Sequence, residues 1–144
     1  MTHAPSKRCF DCNMVKPYYE FTAKLNKTKD GLSPYCAACG VLRANKNSET
    51  YRGRSLALIS ACRRRAKERG SNFALDDYGD EIENMMRAGC ALTGIAFDMT
   101  RGEGNKPTAA SIDRIRPSDG YIPGNVRLIC RAMNSFIGEW AKTQ

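Results

Sequence analysis

Four cysteines fall into two pairs, Cys9-x-x-Cys12 and Cys36-x-x-Cys39, with 23 residues between them. Each pair makes a tight knuckle that presents two thiolates to one ion. Four thiolates fill the tetrahedral shell of Zn²⁺ and leave no position open for chemistry, so the expected site is structural. The metal would supply folding energy that about 40 residues do not find in apolar burial. A redox dithiol would need only one pair. The total of seven cysteines is odd and no apolar leader precedes them, which argues against a disulfide framework.

A second constellation lies in Ser111–Asn125, SIDRIRPSDGYIPGN. An acid, Asp113, closes a short β-like run, a Gly120-Tyr121 turn follows, and Asn125 opens the next apolar stretch, VRLIC. Arg114 follows the acid directly. A guanidinium stays protonated at any useful pH, so Arg114 cannot act as a general base, although it can stabilise negative charge on a phosphate. Tyr121 is a base only if its pKa falls well below roughly 10. The single histidine, His3, sits in a polar terminal tail.

Three stretches must position these groups. Residues 1–48 form the four-cysteine module, with an Asp30-Gly31 turn between the knuckles. Its Tyr18, Tyr19 and Phe21 lie near Lys16, Lys24, Lys27 and Lys29; the aromatics are expected to be the module's small core, while the lysines are free to hold phosphates. Residues 49–89 read as a basic helical linker followed by a scaffold helix. Ser55 is the expected cap of a helix with Leu56, Ile59 and Cys62 on one face, ending at Gly70. Arg63, Arg64, Arg65, Lys67 and Arg69 put five cations in seven residues, a stripe suited to a nucleic-acid backbone. Asp76 or Asp77 opens the next helix, with Tyr78, Ile82 and Met85 in one stripe and Gly89 at its end. Residues 90–144 read β, β, α: a strand near 111–115, a strand over 126–130, then a helix whose Met133, Phe136, Ile137 and Trp140 face the core.

Charge divides the same way. Residues 1–70 carry 15 Lys or Arg against 5 Asp or Glu, and residues 71–144 carry 8 against 10, within a net charge of +8. A basic first half points to a polyanionic partner, with a plain solvated surface as the alternative. No apolar run approaches the ~18 residues of a membrane span, and the expectation is a soluble cytoplasmic protein that does not engage a membrane.

Residues 90–140 resemble the HNH, or ββα-metal, endonuclease superfamily, most closely small phage-type members. The resemblance is carried by Cys90, Thr93, Gly94, Ser111, Asp113, Arg114, Ile115, Gly120, Tyr121, Asn125, Arg127, Cys130 and Asn134. It implies an α+β chain with a zinc-ribbon or knuckle-like module ahead of a ββα-metal domain. It further implies that Asp113 and Asn134 hold one Mg²⁺ or Mn²⁺ at the scissile phosphate, and that Asn125 fixes the loop. Arg114 stands where such nucleases carry their catalytic histidine, and Arg127 joins the phosphate contacts. The bland alternatives are a surface Asp113 and a helix-start Asn134. Where relatives frame this domain with two further CxxC pairs, only Cys90 and Cys130 remain, so no second zinc is expected. The implied function is a metal-dependent DNA endonuclease or nickase acting on duplex DNA. The alternative is a non-catalytic regulator or inhibitor that binds DNA or a protein partner.

Overall fold

The structure, a computed structural model, describes residues 4–24, 27–100 and 106–140, with residues 139 and 140 described by their backbone alone. His3 and the side chain of Trp140 therefore lie outside the described residues. The chain is mixed α+β, with four helices and three two-stranded antiparallel sheets among the described residues. It divides into two compact units, residues 1–46 and 47–144.

In the first unit, β1 (Ser6–Arg8) pairs with β2 (Val15–Pro17), and β3 (Phe21–Ala23) pairs with β4 (Leu32–Cys36). A helix that the sequence reading lacked, α1 (Ala37–Ser48), follows directly. Of the three aromatics expected as core, only Phe21 is buried. Tyr18 is partly exposed and Tyr19 is 81% exposed. The buried set reduces to Cys9, Phe21 and Cys36, with Leu32, Tyr35 and Cys39 packed against it. Two large apolar side chains at most are worth several kcal/mol, at about 1.5–3 kcal/mol each, too little to order such a unit without another tie. The four cysteines are placed to supply that tie by holding one metal ion.

In the second unit, α2 (Tyr51–Arg69) begins earlier than Ser55. Thr50 is the cap, its hydroxyl accepting from Gly53 N–H at 3.0 Å. Ser55 is interior, and its hydroxyl donates back to the Tyr51 carbonyl at 2.8 Å. The helix ends at Gly70, which adopts φ +62° as a left-handed cap. The next helix, α3 (Gly79–Ala88), starts beyond Asp76 and Asp77 and buries Ile82 and Met86, with Met85 only partly buried. Then come β5 (Ala110–Arg114), β6 (Val126–Cys130) and α4 (Arg131–Trp140), in the expected order β, β, α. Ile59, Cys62 and Ala66 of α2, Ile82 and Met86 of α3, Ile112 of β5 and Leu128 and Ile129 of β6 share one core. The stretch 49–89, expected as a linker with a scaffold helix, is thus part of the same unit as 90–144. Its helices pack their apolar faces against each other and against the hairpin.

Candidate functional sites

Sulfur atoms of Cys9, Cys12, Cys36 and Cys39 all lie within 4.8 Å of one another, positioned to bind one metal ion. Local chain geometry sets this up. In the first knuckle, Asn13 N–H donates to the Cys9 carbonyl at 3.0 Å and Cys9 N–H to the Met14 carbonyl at 2.9 Å, with Asn13 at φ +59°. In the second, Cys36 closes β4 and Cys39 lies on the first turn of α1. Cys36 N–H donates to Cys9 Sγ at 3.3 Å. Burial raises the Cys9 thiol, but the N–H groups of Cys36, Cys12 and Asp11 outweigh it and hold the thiol down to about 6. Cys39 is pushed up to about 12 by its hydrogen bond to Cys36, by burial and by the sulfurs of Cys9 and Cys12. Four sulfurs this close cannot all ionise without a cation among them. The set is consistent with a structural zinc.

The second site is a cavity of about 480 Å³ beside the loop end of the β5–β6 hairpin. Asp113 of β5, Asn134 of α4 and the ring of Tyr121 line it, together with Arg65, Arg69, Arg114 and Arg127. Asp113 and Arg127 are direct cross-strand partners, and Arg127 Nε donates to Asp113 Oδ2 at 2.8 Å. Asn134 Nδ2 donates to Ser111 Oγ at 2.7 Å. Tyr121 is held by its backbone, which exchanges hydrogen bonds with Asn72 (2.9 Å) and Ala74 (2.8 Å). The Arg114 guanidinium lies over the Tyr121 ring at 5.0 Å and donates to the Pro117 carbonyl at 3.0 Å.

Asn125 does not line the cavity; it builds its rim. Its buried amide donates to the carbonyls of Arg116 (2.9 Å) and Gly120 (2.8 Å) and accepts from Arg116 N–H at 3.0 Å. Those bonds fix the 116–120 loop and with it the carbonyl that holds Arg114. Gly120 sits at φ +81° against Asn72, where a Cβ would come within 2.4 Å of the Asn72 carbonyl oxygen.

The basic helix splits its cations among different tasks. Arg65 turns inward: Nη2 reaches Cys62 Sγ at 3.2 Å, and its Nε is buried with no hydrogen-bond partner. Burial opposes its charge, but Cys62 and Tyr121 more than offset it. Arg69 joins it in the cavity. Arg63 pairs with Asp76 on the surface and lies over Phe73 at 5.3 Å. Lys67 is exposed and lines neither cavity. Lys24 and Lys27 are exposed on the first unit.

A second cavity, about 420 Å³, adjoins the first through Arg65 and Asn134 and adds Arg64, Arg131, Ser111 and Ser135. The sequence reading missed Arg131, whose signal was its place as the first residue of α4. It also missed the Asp113–Arg127 pairing, which follows from hairpin register.

A divalent cation at Asp113 and Asn134 is a poor fit to this arrangement. One carboxylate oxygen is engaged by Arg127, and four guanidinium groups line the same space. Such a lining attracts anions.

Fold and sites together define a mixed α+β chain with a four-cysteine cluster positioned to bind a metal ion and an arginine-lined double cavity on a β, β, α unit. No family model matches the chain, and neither a curated protein nor a solved structure matches it. Among the described residues no helix is long and apolar enough to cross a membrane.

Proposed function

We propose that the protein binds nucleic acid, duplex DNA first, through its phosphodiester backbone on an HNH-like ββα frame, with zinc in the four-cysteine cluster as a structural ion. The observation that carries this reading is the pair of adjoining cavities sharing Arg65 and Asn134. Guanidinium groups suit phosphate oxygens in charge and in fork geometry. Two such cavities side by side suit successive phosphates of one strand. Contacts of this kind set affinity and salt dependence and leave sequence unread.

Cleavage at the bound phosphate, metal-dependent and of the endonuclease or nickase type, is the second reading. It is favoured by Asp113 and Asn134 reaching one cavity from β5 and α4. It is opposed by the Arg127 contact on Asp113 and by the guanidinium of Arg114 beside it, which cannot take a proton from water.

One experiment separates the two. Supercoiled plasmid is incubated with the protein in Mg²⁺ and in Mn²⁺ from neutral to alkaline pH, beside Asp113→Ala and Asn134→Ala, with mobility shift recorded on the same samples. Shifted, intact plasmid supports binding alone. Metal-dependent nicking lost in both variants establishes the second reading. No shift even at low salt rejects both and leaves an acidic protein partner for the basic surface.

A further inference from the structure

We propose that Cys90 and Cys130 form a second metal site, one that takes a soft, low-coordinate monovalent cation of the Cu(I) class and not tetrahedral zinc. The geometry that builds the four-cysteine cluster occurs twice in this chain. Cys90 N–H donates to the Ile95 carbonyl at 2.9 Å and Gly94 N–H to the Cys90 carbonyl at 2.8 Å, as Cys9 does with Met14 and Asn13 with Cys9. The fourth residue after the cysteine has positive φ in both turns, +59° at Asn13 and +71° at Gly94. Cys130 closes β6 and is followed at once by α4, as Cys36 closes β4 and is followed by α1. The backbone-to-sulfur bond is also repeated: Cys130 N–H donates to Cys90 Sγ at 3.3 Å, matching Cys36 and Cys9.

What differs is the donor set. Thr93 stands in the place of Cys12 and Met133 in that of Cys39. Two thiolates remain, with a hydroxyl that hydrogen-bonds Cys90 and a thioether three residues after Cys130 on a side chain packed against the same core. Zinc held by two thiolates needs two further good donors, normally water when the protein lacks them. Cys90 is 3% and Cys130 4% exposed, and the residues in the other two ligand places bring a hydroxyl and a thioether, both weaker zinc donors than thiolate. A monovalent d¹⁰ ion is satisfied by two or three sulfurs, and thioether sulfur suits it better than it suits zinc. On binding, the thiol protons leave to solvent, and the Cys130 N–H and Thr93 hydroxyl face the remaining negative charge.

The full-length, zinc-loaded protein is titrated anaerobically with Cu(I) held in a chelate buffer and followed by native mass spectrometry. The first copper equivalent is expected to enter with zinc retained, giving a one-zinc, one-copper species that Cys90→Ser abolishes. Met133→Leu keeps the apolar volume, so it decides the matter even where Cys90→Ser does not fold. It is expected to weaken copper binding by about 10- to 100-fold, no less than loss of an outer-shell partner. Copper that enters only by ejecting zinc, or an affinity unchanged in Met133→Leu, overturns the proposal.

Discussion

Asp113 and Arg127 face each other across the β5–β6 hairpin, carboxylate to guanidinium at 2.8 Å, with the Asp113 side chain only 11% exposed. This contact sets which arginines remain free in the site. While it holds, Asp113 neutralises one arginine, and the remaining guanidinium groups leave the cavity cationic.

Removing Arg127 leaves a mostly buried carboxylate without its partner. Arg127→Ala is expected to lower stability by about 1–3 kcal/mol in chemical denaturation. Added Mg²⁺ should then raise the melting temperature of the variant and leave the wild type unchanged. Equal responses of the two proteins would show that Arg127 does not guard Asp113.

Asn125 serves the site through the loop it ties. Asn125→Ala strips partners from Arg116 N–H and from two carbonyls, costing about 2–4 kcal/mol. The same variant should weaken DNA binding under conditions where it remains folded, because Arg114 loses its fixed acceptor. Unaltered DNA affinity in the folded variant would make Asn125 a stability residue alone.

Each guanidinium that meets phosphate should register in the salt dependence. Arg69→Ala and Arg114→Ala are each expected to reduce the slope of log affinity against log salt by roughly 1. Arg63→Ala, already paired with Asp76, should leave the slope unchanged. A reduced slope for Arg63→Ala would place the phosphate path along the exposed face of α2.

Chelation of the metal should unfold the first unit, whose apolar core is three buried residues, and leave the second unit's larger core intact. NMR spectra before and after chelation check this: resonances of residues 4–24 and 27–46 collapse while those of Ile82, Leu128 and Ile129 persist. Retained dispersion in the first unit after complete metal removal would refute the structural role.

Asp98 reports on the loop ahead of β5. The Thr100 hydroxyl and N–H, with Lys106, hold its carboxyl at about 2, below the ordinary 3.8. A carboxyl depressed in the fold stabilises it fully above the unfolded value and loses that contribution as pH falls through the folded one. The loop should therefore loosen between about pH 4 and pH 2, and an NMR titration of the Asp98 carboxyl should give a midpoint near 2. A midpoint near 3.8 would mean that the Thr100 and Lys106 contacts do not form in solution.

The cysteine cluster was legible in sequence because metal geometry fixes ligand spacing almost independently of the surrounding chain. The β, β, α order was legible too, since VRLIC and the strand before it are short apolar runs flanked by turn residues. Helix α1 was not: AACGVLRANKNS buries no residue and carries no strong apolar stripe, so periodicity had little to detect. The start of α2 was misplaced because Ser55 and Thr50 are both good caps, and tertiary burial of Gly53 and Ser55 selected the earlier one. Above all, a run of like charges does not say which members face inward. Arg65 is three residues from Cys62 and so shares its face, whereas Arg63 lies where Asp76 and Phe73 can meet it.

Because Arg65 and Asn134 border both cavities, their occupants cannot be independent. A free anion gains one cavity at a time and meets a neighbour competing for the same guanidinium. A polymer with evenly spaced charges fills the second as an intramolecular step, at high effective concentration once the first is filled. On the proposed reading, affinity for a polyanion should therefore rise with chain length and not with charge alone.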